Sequence, residues 1–183
     1  MSDSIDQKLD FDGLIGAAEA GDGFDWETDD SEAGVSEKTV SVLRFRIGER
    51  RFAVPTEFVR EIVSELDVTP VPGAPKHVRG VSVLRRQVIG VLDLHRWLDP
   101  VAEVAAVEAS RVVIVEAGPY TVGIETNEVT GMDEWPEQVL DRSRIPDSIN
   151  SRTRRYAAGI RLSEDEACVL LDVPKLLDDA AVQ

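Results

Sequence analysis

The chain has 183 residues, a hydrophobic content of 43% and a formal net charge of -15 at pH 7. This composition is enough for a buried core, and the length allows one domain or two small halves. A nucleic-acid-binding surface needs a net basic face, so the charge argues against a nucleic-acid partner. The sequence has no apolar run of about 18 residues, and its N-terminus is acidic. We therefore predict a cytoplasmic protein with no direct membrane insertion.

Most of the negative charge lies in the first 38 residues, which contain 12 acidic and two basic side chains. These residues are rich in Asp, Glu, Gly and Ser and have few large apolar side chains. Such a composition cannot bury enough surface to offset the entropy cost of ordering the chain. We predict that residues 1–38 form an acidic disordered N-terminal extension and that residues 39–183 form the folded domain.

An internal repeat organises the folded part. Two pairs of segments match, 80–98 with 159–177 at an offset of 79 residues, and 43–62 with 113–132 at an offset of 70. Self-similarity of this kind indicates two copies of one small structural unit. The sequence predicts two repeated β-barrel halves, at about residues 40–100 and 108–178.

The first copy begins with alternating residues that predict a half-buried strand. Leu43, Phe45 and Ile47 share one face, and the residues between them are polar. Gly48-Glu49 predicts a turn, after which the chain returns as a second strand. Pro55 prevents this second strand from continuing. The result is a predicted hairpin.

A short amphipathic helix is predicted after this hairpin. Val59, Ile62, Val63 and Leu66 recur at the spacing of one helical face, with polar residues between them. The second copy predicts a matching short helix near residues 127–132.

A proline-rich stretch over residues 69–75 predicts an irregular crossing to a second hairpin. The strands of this hairpin are predicted at residues 81–84 and 87–92, around Arg85-Arg86. The second copy repeats the same order of elements, with predicted strands at 111–116, 120–124, 156–162 and 167–173. Short strands joined by tight turns are typical of small closed barrels. Two such barrels side by side would leave a groove between them.

Two aspartates occupy the same place in the two copies. Asp93 and Asp172 each follow an apolar strand and precede a short apolar turn. A pair of carboxylates suggests acid–base catalysis, but helix N-caps in two repeats explain both residues. We therefore predict that both are structural caps.

Other residues offer little for catalysis or metal binding. His77 and His95 have no His or Cys close by in sequence to complete a metal site. Cys168 lies in a predicted apolar strand, which favours a buried thiol. Nucleophile-elbow, Walker and dinucleotide-binding motifs are absent from the sequence. We predict no cofactor, no metal site and no enzymatic activity.

The order and spacing of several stretches resemble the CheW family, the scaffold proteins that couple chemotaxis receptors to the CheA histidine kinase. The matching stretches are 45–55, 59–63, 69–75, 77–81, 84–85 and 88–94, within a resemblance that covers about residues 40–178. The resemblance implies a mainly β fold of two intertwined SH3-like five-stranded β-barrels with short helices. It also implies binding to the regulatory domain of CheA and to the cytoplasmic tips of methyl-accepting chemotaxis receptors. The protein would then be cytoplasmic and peripheral at membrane receptor arrays.

The same resemblance implies a receptor-binding groove that includes Val59, Glu61 and Arg85. Two positions depart from the family pattern. Val83 stands where an Asn is usual, and Arg86 stands where a Gly is usual. A left-handed conformation at Arg86 would cost on the order of 1 kcal/mol.

An alternative function comes from the arginine cluster at residues 152–155. It would make the chain a small β-barrel enzyme or a nucleic-acid-binding module. Retention on heparin would separate this alternative from an adaptor, because an acidic adaptor is not expected to bind heparin.

Overall fold

The computed structural model describes residues 38–101, 111–163 and 166–181. The disorder predicted for residues 1–38 lies outside these ranges, apart from Lys38. Among the helices in the described ranges, none has the length and apolar character needed to cross a bilayer.

The described residues form ten strands and three short α-helices. The strands are β1 (Thr39–Ile47), β2 (Arg50–Pro55), β3 (Val59–Val63), β4 (Val78–Leu84), β5 (Gln87–Leu92), β6 (Arg111–Ala117), β7 (Tyr120–Thr126), β8 (Glu128–Pro136), β9 (Ala157–Leu162) and β10 (Ala167–Leu171). The helices are α1 (Leu94–Leu98), α2 (Ser151–Arg155) and α3 (Val173–Ala181). Single turns of 3-10 helix occur at Thr56–Phe58, Glu137–Leu140 and Arg142–Arg144.

The strands form two five-stranded sheets, and each sheet takes strands from both sequence copies. The first sheet has the order β8-β1-β2-β10-β9, and the second has the order β3-β6-β7-β5-β4. Neither copy therefore builds a barrel from its own strands alone. Replacing each strand by its repeat mate converts one order into the other, as expected for a duplicated unit that exchanges strands. The mainly β fold of two intertwined barrels is confirmed.

The core lies where the two sheets face each other. The predicted inward residues Leu43, Phe45 and Ile47 are all buried. They belong to a large apolar cluster that also contains Val113 and Ile124 of the second sheet. Each sheet has a smaller apolar cluster of its own on the opposite face. Burial on both faces explains why several strands have continuous apolar runs and not simple alternation.

The two predicted amphipathic helices are wrong, because both segments are strands. Val59–Val63 pairs with β6, and Ile62 is 42% exposed where a helix would bury it. The segment predicted near 127–132 belongs to Glu128–Pro136, which pairs with β1. A helix of two turns has little stability alone, whereas β-branched residues favour a strand wherever a partner strand is available.

Two glycines let the crossing segments approach the sheets. A Cβ atom at Gly80 would overlap the carbonyl oxygen of Thr69, and a Cβ at Gly159 would overlap that of Val139. The two glycines are related by the repeat offset of 79 residues. The two residues that they approach, Thr69 and Val139, are related by the repeat offset of 70 residues. The close approach is therefore a duplicated feature that requires glycine in both copies.

Both predicted cap residues accept a backbone hydrogen bond at the start of a helix. The Asp93 carboxylate accepts a hydrogen bond of 3.0 Å from the backbone N–H of Arg96, and Asp172 accepts one of 3.1 Å from Lys175. The backbone N–H groups of the two aspartates donate to the carbonyls of His77 and Tyr156, each at 2.8 Å. His77 and Tyr156 are also repeat mates, so the whole capping arrangement is duplicated.

These caps predict a specific difference between two substitutions. Asp93→Asn and Asp172→Asn should change the free energy of unfolding only slightly, because Asn accepts the same hydrogen bond. Replacement by Ala should cost about 0.5 to 2 kcal/mol at either position. Urea denaturation of the four variants measures both effects. An Asn variant as unstable as its Ala counterpart would show that the carboxylate acts through its charge, and the cap would not be its main role.

Candidate functional site

The tip of the β4–β5 hairpin has an unusual backbone conformation. Arg85 and Arg86 have φ values of 49° and 70°, and they are the non-glycine residues with positive φ in the described ranges. Positive φ at both central residues of a two-residue loop defines a type I′ turn, which normally prefers Asn-Gly. The predicted hairpin around this pair is confirmed, and its turn accommodates Arg86 at the cost of strain.

An ion pair joins this tip to β3. The Arg85 Nε atom lies 3.0 Å from Glu61 Oε1, and the Arg85 Nη2 atom donates to Glu61 Oε2 at 3.1 Å. The Arg85 side chain is 72% exposed, whereas that of Glu61 is 20% exposed. The structure thus brings together two of the three residues of the predicted receptor-binding groove. The half-buried carboxylate orients a largely solvent-accessible guanidinium.

Val59 lies on the same strand but has different surroundings. Its side chain packs against the large apolar cluster, and a register irregularity in the β3–β6 pairing separates it from Glu61. The neighbouring Arg60 donates hydrogen bonds of 3.1 Å to Gln87 and to Glu116. Val59 and Arg60 line a cleft of about 670 Å³. Gln87, the residue that follows the hairpin tip, also lines this cleft.

Two exposed valines flank the tip, and the sequence reasoning did not select them. Val83 and Val88 are paired across the hairpin, with exposures of 69% and 67%. Cross-strand neighbours lie about 5 Å apart, so their side chains form one apolar patch beneath the arginines. A two-residue turn at Arg85-Arg86 fixes the pairing of Val83 with Val88. The patch could therefore have been predicted from the sequence once the turn was known.

The alternative arginine cluster is occupied by internal contacts. Arg152 lies over the Trp97 ring, with its guanidinium carbon 4.9 Å from the ring centroid. Arg154 pairs with Asp147 and Arg155 with Asp179, both at 2.8 Å. Guanidinium groups that already contact a ring or a carboxylate are poorly available to bind phosphates. The structure gives no support to a nucleic-acid site at residues 152–155.

The titratable side chains of the core have structural surroundings. Burial raises the pKa of the Cys168 thiol to about 12, so the predicted buried thiol is confirmed and stays protonated at neutral pH. Burial, together with the Arg152 charge, lowers the pKa of His77. Across the described ranges, no group of three or more His, Cys, Asp or Glu side chains is placed to share a metal ion.

Comparison with known proteins identifies the family. The family model described as the CheW-like domain matches residues 41–181. The chain belongs to the CheW family. The match includes both sheets almost completely, together with the hairpin tip and its ion pair.

Individual relatives agree with this assignment. Protein FrzA of Myxococcus xanthus is 31% identical over 137 residues, which cover 74% of this chain and 84% of FrzA. The chemotaxis protein CheW of Thermotoga maritima is 23% identical over 146 residues, which cover 80% of this chain and 93% of that protein. The crystal structure of the scaffolding protein TtCheW from Thermoanaerobacter tengcongensis superposes with a TM-score of 0.63 at 20% identity. That alignment covers 74% of this chain and 90% of TtCheW, and it confirms the fold.

Proposed function

We propose that this CheW-family chain is a non-enzymatic adaptor that binds the cytoplasmic tips of methyl-accepting chemotaxis receptors and the regulatory domain of the CheA kinase. It acts in the cytoplasm, at receptor arrays on the membrane. The observation that carries the proposal is the match of residues 41–181 to the CheW-like domain. A scaffold that binds the receptor and the kinase at the same time can hold them in a fixed geometry. The receptor can then control the kinase without any reaction on the scaffold.

The hairpin tip supports the receptor-binding part of the proposal. It combines an oriented cation, Arg85, with the exposed pair Val83 and Val88. Protein interfaces are enriched in arginine and commonly place charges around an apolar centre. The family resemblance assigns Val59, Glu61 and Arg85 to the receptor side. The Glu61–Arg85 contact supports a common role for two of these residues.

A binding experiment with separate components tests the proposal. The full chain would be incubated with a soluble receptor cytoplasmic fragment, with the CheA regulatory domain, and with both together. We expect binding to each partner alone and a ternary complex when all three are present. Receptor-dependent stimulation of CheA should then require the chain. Binding to neither partner would contradict the proposed function.

Arg85→Asp provides a sharper test of the receptor site. Reversing this charge should weaken receptor binding about tenfold or more, because Asp also repels Glu61 and leaves the tip without its oriented cation. Stability should change by less than about 0.5 kcal/mol, since Arg85 is exposed and Asp tolerates a positive φ. Isothermal titration with the receptor fragment and thermal melting measure the two quantities.

A matched control comes from the first sheet. Arg51 also forms an ion pair with a glutamate, Glu166, and its side chain is 40% exposed. Arg51→Asp makes the same charge change at another barrel, so it should leave receptor affinity close to wild type. Equal losses in both variants would indicate a non-specific charge effect, and unchanged affinity in Arg85→Asp would contradict the assignment.

A further inference from the structure

Both residues of the hairpin tip, Arg85 and Arg86, have positive φ, and a turn of this kind does not require an arginine at either position. In the β1–β2 and β6–β7 turns the residues with positive φ are glycines, Gly48 with φ 59° and Gly118 with φ 58°. Only at the β4–β5 tip do non-glycine residues adopt such angles in the described parts of the chain. Non-glycine residues in this conformation are strained, and retained strain commonly marks a site of function.

The two arginines of the tip differ in what they contact. Arg85 is held by Glu61, as described above. Arg86 is exposed and makes no hydrogen bond or ion pair with any residue in the described ranges. Arginines elsewhere on the sheets pair with carboxylates, as Arg79 does with Glu125 at 2.9 Å. Arg86 therefore keeps all of its guanidinium donors available for a partner.

The surroundings of Arg86 favour one kind of partner. The exposed pair Val83 and Val88 lies at the base of the turn and offers apolar contact area. Residues 39–183 carry 23 acidic and 18 basic side chains, a net charge of -5, which weakly disfavours acidic partners. The free guanidinium of Arg86 attracts a carboxylate in spite of this net charge. Together with the apolar patch beside it, it favours a partner that has a carboxylate next to an apolar side chain.

We propose that Arg86 is a specificity-determining residue that binds an Asp or Glu carboxylate on the receptor segment docked at the hairpin tip. This inference rests on the proposed function, because it names the chemistry of the receptor surface that the tip contacts. Arg85, already paired with Glu61, orients the turn, and Arg86 supplies the free charge. The strain at Arg86 is the cost of placing a second cation where glycine would be more stable.

The test separates charge from strain by using three substitutions at this position. Arg86→Gly removes both the charge and the strain, Arg86→Asn removes the charge and relaxes part of the strain, and Arg86→Lys keeps both. The control, Arg144→Asn, removes another exposed arginine from the 3-10 helix at Arg142–Arg144. Titration calorimetry with a receptor cytoplasmic fragment at 50 mM and 500 mM NaCl gives the affinities.

Affinity should follow the charge, and melting temperature should follow the strain. At low salt, Arg86→Gly and Arg86→Asn should bind the fragment about three- to fivefold more weakly than wild type, as for one exposed ion pair. The difference should shrink at high salt because screening weakens the wild-type contact. Arg86→Lys and Arg144→Asn should retain affinity within about twofold. Arg86→Gly should also melt about 3 °C higher than wild type.

A scan of the receptor fragment identifies the acidic partner. Each Asp or Glu near its tip is changed to Asn or Gln, one at a time. One change should weaken binding to the wild-type chain without affecting binding to Arg86→Asn. The inference is overturned if Arg86→Asn binds like wild type at both salt concentrations while the wild type does bind. If the wild-type chain does not bind the fragment, the proposed function fails, and this inference fails with it.

Discussion

Gly159→Ala is expected to destabilise the fold by about 3 kcal/mol. This effect is large for a substitution that adds one methyl group and removes no contact. The added Cβ would overlap the carbonyl oxygen of Val139. Because the obstacle is backbone, no side-chain rotation can relieve the overlap, and the crossing segment must move away from β9. Gly80→Ala should have a comparable effect, since its Cβ would overlap the Thr69 carbonyl and disturb the Thr69–Val81 bridge. Urea denaturation followed by circular dichroism measures both variants.

Gly90→Ala is the matched control for this prediction. Gly90 also lies in a strand, but a Cβ there would have no neighbour within 4 Å, and its φ is not in the left-handed region. Its free energy of unfolding should therefore stay within about 0.5 kcal/mol of wild type. If Gly159→Ala is as stable as Gly90→Ala, the close approach of residue 139 does not constrain the fold as described.

The internal repeat predicted the fold well because its matched residues are those that fix the backbone. Gly80 and Gly159 allow a close approach, and Asp93 and Asp172 cap the helices that follow. Each of these roles depends on one residue type and on its local position, so it can be read from a single sequence. Which strands of the two copies pair with each other was harder to predict from the sequence. Whether β2 pairs with the strand that follows it or with β10, at the far end of the chain, depends on contacts between residues more than 100 positions apart.

The failed helix predictions have the same origin. Val59, Ile62 and Val63 fit a helical face as well as they fit a short strand, and local spacing cannot distinguish the two. The deciding factor is the available edge of β6, which comes from the other copy. Repeat symmetry then carried the same error to residues 127–132, because the matching segment has the same ambiguous pattern.

The candidate site was only partly accessible to sequence reasoning. The resemblance supplied Glu61 and Arg85, which are 24 positions apart. Their ion pair joins β3 to the turn before β5, and β3 and β4 are the two edge strands of the second sheet. The sequence predicted strain at Arg86 for the case that the turn gives this residue a left-handed conformation. The apolar patch of Val83 and Val88 was not predicted, because exposed valines in a strand normally read as core residues. Their exposure shows that they do not pack in the core, and exposed apolar patches commonly mark interaction surfaces.

Trp97→Ala is expected to cause the largest loss of stability, about 3 to 5 kcal/mol, which is a large part of the total for a domain of this size. The Trp97 side chain is fully buried at the junction of the two copies. Its ring lies 4.4 Å from that of His77 and 5.6 Å from that of Tyr156, and Arg152 lies on its face. Truncation removes all of these contacts and leaves a cavity between elements that belong to different copies.

Trp97→Phe distinguishes the loss of the ring from the loss of its polar atom. The indole Nε1 atom makes no hydrogen bond with the described residues, so a phenyl ring loses only volume and part of the contact with Arg152. We expect this variant to lose less than about 2 kcal/mol and to bind the receptor fragment like wild type. Chemical denaturation followed by far-ultraviolet circular dichroism compares the three proteins without depending on the tryptophan signal. A Trp97→Ala variant within about 1 kcal/mol of wild type would show that the two copies are held together by other contacts, and that the junction can close around the missing ring.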